Sequence, residues 1–135
     1  MDGLIRELFI RFNGALISYK DFDEYSKKAI DVYFKQEHEN RVGINKESIF
    51  AFINIPTVVI TNIIMSSEEY QHFGNFENYH RDYMLGGDVV KHRRIWPIII
   101  DNCCEDLIFD GWHRFHWYYE KNLNIIPCIS IVDIN

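Results

Sequence analysis

The stretch Ile108-Phe109-Asp110-Gly111-Trp112-His113-Arg114-Phe115 decides how this chain is read. A short apolar run, Leu107 to Phe109, stops at Asp110-Gly111, and aromatic and basic residues follow at once. That pattern predicts a strand turning sharply into a helix that begins at Trp112. A helix start leaves several backbone N–H groups without intrahelical partners, and the helix dipole adds partial positive charge there. Acidic residues usually occupy such a turn, yet His113 and Arg114 stand here. Two basic side chains at that end make sense in front of an anion, above all a phosphate. A capped helix with a surface arginine is the simpler alternative.

Working outward, the segment predicts an α+β domain. The helix from Trp112 runs to about Asn122, and Pro127 to Ile131 reads as the next strand. Upstream, Trp96-Pro97-Ile98-Ile99-Ile100 reads as a strand joined to Leu107-Ile108-Phe109 by the turn Asp101 to Asp106. Near the N-terminus, Leu8 to Phe12 reads as a strand ended by the turn signal Asn13-Gly14. Asp21, with Glu24 in capping-box spacing, opens a helix to about Glu37 whose apolar positions Phe22, Tyr25, Ala29, Val32 and Tyr33 recur at helical spacing. Glu39 to Gly43 is a polar loop. Asn45 is the next cap candidate, before a short helix through Ile49, Phe50, Phe52 and Ile53 that stops near Pro56. Thr57 to Ile64 is β-branched and reads as a buried strand. Ser66 or Ser67 caps a helical turn at Glu68-Glu69-Tyr70. Gln71 to Gly87 shows little period and reads as a long irregular segment of the kind that serves as a lid or binding loop. Residues 1–56 are thus expected to be a helical elaboration, and residues 57–135 the core, of a single domain.

Composition sets bounds. The chain has 135 residues, 47% hydrophobic and 16% aromatic, enough for one packed core. Charged residues make up 25%, which is not a disordered composition. No apolar run is long enough for a membrane span, and the N-terminus is not patterned as a signal peptide. Cys103, Cys104 and Cys128 are odd in number and two are adjacent, which argues against a disulfide framework and for a reducing, cytoplasmic setting. The net charge of −6 opposes binding to nucleic acid or an anionic membrane. A local basic patch, Lys91-His92-Arg93-Arg94 with Arg81 and Arg114, stands against that trend, either as a rim around one mouth or as a solvated loop.

Residues 95–132 resemble the core of the ParB/sulfiredoxin superfamily. The resemblance rests on Trp96-Pro97-Ile98-Ile99-Ile100, the second short strand Leu107-Ile108-Phe109, the box Asp110-Gly111-Trp112-His113-Arg114, and the strand Pro127 to Ile131. It implies a small mixed sheet with packed helices. In partition proteins of the family the equivalent box contacts nucleotide phosphates, and free-serine kinases of the family carry a similar Asp-Gly-x-His-Arg box. The resemblance therefore implies a nucleotide, ATP or CTP with Mg²⁺, held by Gly111, Trp112, His113, Arg114 and Arg94. Asp110 would position the metal or take a proton, and His113 would donate a hydrogen bond or act as an acid. Trp112 stands where sulfiredoxins have their reactive cysteine, which removes that chemistry. No helix-turn-helix follows the box, which argues against a partition role.

The histidines invite a metal reading. His72, Glu77, His80, Arg81, Asp82 and Asp88, taken with His92, His113 and His116, form a second cluster, but no zinc-type spacing is present. Magnesium held jointly by phosphate and Asp110, with Glu105 or Asp106, fits better. Phe115, Tyr118 or Tyr119, and Leu123 are spaced as a core face, whereas Trp112 and Trp117 fall off it and could stack on a base or line a partner surface. Two functions follow. One is a nucleotide-binding domain, a phosphotransferase or nucleoside-triphosphate hydrolase. The other is a non-catalytic interaction protein, such as a phage or mobile-element inhibitor or adaptor, binding a host protein.

Overall fold

The computed structural model describes residues 3–37, 49–71, 75–86, 96–101 and 107–131. In chain order they form α1 (Gly3–Arg11), β1 (Ala15–Ser18), a 3-10 turn (Tyr19–Asp21), α2 (Glu24–Glu37), β2 (Ile49–Pro56), α3 (Thr57–Met65), α4 (Glu68–Gln71), α5 (Phe76–Gly86), β3 (Ile98–Ile100), β4 (Ile108–Asp110), α6 (Trp112–Glu120) and β5 (Ile125–Ile131). The architecture is α+β with one mixed five-stranded sheet, ordered β1-β2-β5-β3-β4. β5 runs antiparallel to β2 and parallel to β3, and β3 is antiparallel to β4.

Both faces of the sheet are covered, which explains the near-continuous apolar runs in its strands. Ile53, Ile55, Ile98, Ile100, Ile126 and Cys128 face one layer, where α1, α3, α5 and α6 supply Ile5, Ile60, Ile64, Tyr79 and Phe115. Phe50, Ile99 and Ile129 face the other layer, where α2 supplies Ala29, Ile30, Tyr33 and Phe34. The alternation along the inner strands β2, β5 and β3 thus separates two apolar cores rather than an apolar face from a wet one.

Four local expectations are corrected here. Leu8 to Arg11 belong to helix α1, not to a strand: Ile5 and Leu8, one turn apart, are buried while Ile10 is 66% exposed. Asn13-Gly14 is still a stop signal, but it stops a helix, with Asn13 left-handed at φ 53° and the Gly14 N–H donating to the Phe9 carbonyl at 2.8 Å. Asp23, not Asp21, caps α2, accepting from the Ser26 N–H at 2.7 Å.

The third correction is an exchange: residues 49–56 form a strand and residues 57–65 a helix. Pro56 ends the one and starts the other, its fixed φ suiting a helix entry. Thr57 anchors that entry, its N–H donating to the Asn124 carbonyl at 2.8 Å and its hydroxyl to the Leu123 carbonyl. The expected N-terminal helical elaboration therefore supplies β1 and β2 to the sheet itself. Fourth, the stretch read as irregular contains α5, capped by Asn75, whose side chain accepts from the Asn78 N–H at 2.8 Å. The expectations for α4, β3, β4, α6 and β5 match the structure to within one to three residues at their ends.

Candidate functional site

The β4–α6 turn is built around Gly111. This residue sits at φ 108°, a conformation L side chains rarely adopt, and its carbonyl accepts the first helical bond from the Phe115 N–H at 2.9 Å. A Cβ here would lie 2.9 Å from both Arg114 Nη2 and Ile98 Cγ2. Glycine is thus required twice, by the backbone angle and by space. No acidic residue occupies the first turn of α6, and no side chain caps it. The positive end of the α6 dipole therefore carries His113 and Arg114 beside it.

Arg114 turns inward. The residue is 7% exposed, and its guanidinium donates from Nη1 to the Pro97 carbonyl at 2.7 Å and reaches Asp110 Oδ2 from Nη2 at 3.5 Å. The Trp96 ring lies 6.0 Å from its centre. The side chain so placed ties the start of α6 to the residue before β3, and Asp110, one helical turn back, balances its charge. Trp112 and His113 are partly exposed at the same turn. The structure therefore brings together Asp110, Gly111, Trp112, His113 and Arg114. Arg94, with the rest of the Lys91–Arg94 run, lies outside the described residues, as do Glu105, Asp106, Cys103, Cys104, His72, Asp88 and His92.

Between α5 and α6 the structure assembles a group that sequence spacing did not reveal. His80 of α5 and His116 of α6 face each other with their Nδ1 atoms 2.9 Å apart, and His80 Nε2 lies 2.6 Å from Glu120 Oε2. His116 is fully buried and His80 nearly so. Desolvation, helped by the nearby His80 and His113, holds His116 down to about 3. Rings of Phe76, Tyr79, Trp112 and Phe115 surround its imidazole. Next to this chain, the Tyr119 hydroxyl donates to Glu77 Oε1 at 2.7 Å, and that bond, with burial behind it, pushes the phenol up to about 12. His113, three positions before His116 on α6, is near enough to act on it electrostatically. Among the described residues no group of three or more His, Cys, Asp or Glu is arranged to hold a metal ion.

Clefts lined by described residues open elsewhere on the molecule. One, of about 610 Å³, runs between α1 and α3 past Leu4, Glu7, Arg11 and Ile63. Another, of about 670 Å³, lies beside the end of α6 and is lined by Val58, Glu77, Tyr119, Glu120 and Leu123. No helix among the described residues is long and apolar enough to cross a membrane.

Comparison with protein-family models, with curated proteins and with solved structures finds no match to this chain.

Proposed function

We propose that the β4–α6 turn binds the phosphate of a nucleotide, in the manner implied by the resemblance of residues 95–132 to the ParB/sulfiredoxin superfamily. The observation that supports this is the charge reversal at the start of α6. A left-handed glycine with no room for a side chain turns β4 into a helix whose first turn carries His113 and no acid. The roles differ from residue to residue. His113 and the amides of the first turn would meet the phosphate. Arg114, committed to Pro97 and Asp110, would hold the turn in shape and lend its charge at short range. Asp110 is about a third exposed and supplies one carboxylate. That fits a magnesium ion carried in by the phosphates better than one caged by protein.

The test is calorimetric titration with ATP, CTP, GTP and ADP in the presence of Mg²⁺, on the wild type and on His113→Ala, which leaves the buried Arg114 network in place. Saturable binding weakened about tenfold or more in the variant supports the reading, that being the range of one charge-assisted hydrogen bond. A folded wild type that binds none of the four overturns it.

One observation favours the interaction reading beside it. Val58, Leu123 and Ile125 are exposed at 63%, 39% and 53%, and the first two line the cleft that also holds Glu77 and Glu120. An apolar patch rimmed by carboxylates suits a basic protein surface. Capture that weakens steeply with salt supports this reading, and salt-independent capture counts against it.

A further inference from the structure

The contact between His80 and His116 constrains how many protons this part of the molecule can hold. Two ring nitrogens 2.9 Å apart form a hydrogen bond only if a single proton lies between them. On the far side of His80, the 2.6 Å contact to Glu120 places a second proton on Nε2 while the carboxylate is ionised. Three arrangements satisfy both contacts. In one, His116 donates from Nδ1 to a neutral His80. In the second, His80 is an imidazolium that donates to His116 and to Glu120. In the third, His116 is the imidazolium and donates to a neutral His80, its added charge then lying in the buried ring. A proton beyond that would set two N–H groups face to face, and the contact would fail.

The same contact joins two helices. His80 belongs to α5 and His116 to α6, and both are shut off from water, so His116 cannot be hydrated unless α5 moves away from α6. Among the described residues, the titratable groups around the pair include Tyr70 from α4, Glu77 and Tyr79 from α5, and His113, Tyr119 and Glu120 from α6. The sheet beneath α6 adds the buried Cys128, whose thiol burial pushes up and keeps protonated. Glu120 meets His80, and Glu77 is engaged by Tyr119.

We propose that the Glu120–His80–His116 chain is a proton-sensitive latch that holds α5 against α6 at neutral pH and releases α5 on acidification. The sign follows from linkage. His116 is held down to about 3 while covered, and returns to the ordinary imidazole value of 6.5 once hydrated. Between those values the open form binds more protons, so opening is favoured as pH falls below about 6.5 and is unaffected above it. Between pH 7.5 and pH 5 the open form gains about thirty-fold. The latch stands whether or not the Gly111 turn binds a phosphate.

Hydrogen exchange read by mass spectrometry tests this on the full chain at pH 7.5 and pH 5, with rates corrected for the intrinsic pH dependence of exchange. Amides of α5 are expected to lose about thirty-fold protection while β2 and β5 keep theirs. His116→Gln, which keeps a hydrogen-bonding group but does not titrate, is expected to abolish the difference. Glu120→Gln alters a half-exposed side chain and so serves should the buried substitution prevent folding. Weakening the contact at His80 Nε2 lowers the cost of opening and is expected to move the release to higher pH. Loss of protection in α5 and the sheet together, or no pH-dependent loss in α5, overturns the proposal. So does a release unmoved by Glu120→Gln.

Discussion

Replacing Gly111 with alanine tests the site at its most constrained atom. The backbone at φ 108° and ψ 26° lies outside the basins that an L-residue occupies at ease, and holding a side chain there costs about 1–3 kcal/mol. The added Cβ would also sit 2.9 Å from Ile98 Cγ2 and 2.9 Å from Arg114 Nη2. Ile98 is fully buried in a strand paired on both sides, so it cannot step aside cheaply. Overpacking of this kind costs about 1–3 kcal/mol. The sum is about 2–6 kcal/mol, a large share of a domain's usual ~5–15 kcal/mol. Urea denaturation followed by tryptophan fluorescence gives the value directly. A double-mutant cycle with Arg114→Ala separates the two parts. The contact to Nη2 disappears in that background while the dihedral penalty and the Ile98 contact persist, so the Gly111→Ala cost should shrink by about 0.5–2 kcal/mol. A Gly111→Ala protein within about 0.5 kcal/mol of wild type, the range of a neutral surface change, would refute the account of this turn.

Two further outcomes follow from the same structure. Arg114→Lys keeps the charge but has one ammonium where the guanidinium reaches both Pro97 and Asp110. It is expected to lower stability by about 1–3 kcal/mol, read as a fall in the urea midpoint, because an acceptor or donor is left buried without a partner. Tyr119 is pushed up to about 12 by its bond to Glu77, so the folded form holds its proton longer than the unfolded chain does. That contribution to stability is whole below pH 10 and is lost between pH 10 and 12. Tyr119→Phe should flatten the decline in alkaline denaturation over that window.

How much of this was legible in the sequence depends on where the physical signal lay. The β3–β4–α6–β5 run was readable because its punctuation is local: Asp110-Gly111 must turn, and the residues on either side change period there. β2 and α3 were read the wrong way round because neither carries a one-sided pattern. Phe50 and Ile53 point into different cores, so the strand shows no apolar–polar alternation. α3 is β-branched, a composition that favours strands, and tertiary burial of Ile60 and Ile64 overrides that preference. The N-terminal run was ambiguous for its length alone, with Leu8 to Phe12 too short to show a period. In α5 the spacing of Phe76, Tyr79 and His80 is helical, but polar residues between them hide it. At the candidate site, the box was visible as a motif. That Arg114 faces Pro97 rather than outward depends on a contact across seventeen positions. The His80–His116 pair spans thirty-six, and only folding brings it together.

The place of β5 in the sheet bears on the order in which the molecule can be made. Residues 125–131 lie between β2, which they pair along seven positions, and β3, which they pair in parallel. Without residues 125–131 the sheet is two separate antiparallel pairs, β1–β2 and β3–β4, each with an open edge and no strand to join them. Both edges are apolar: Ile53 and Ile55 on one, Ile98 and Ile100 on the other, all fully buried once β5 arrives. Exposed strand edges of this kind invite pairing with other chains. Synthesis therefore passes through an interval in which most of the core residues exist but the core does not. Among the described strands, the one that comes latest in the chain is the one that closes it.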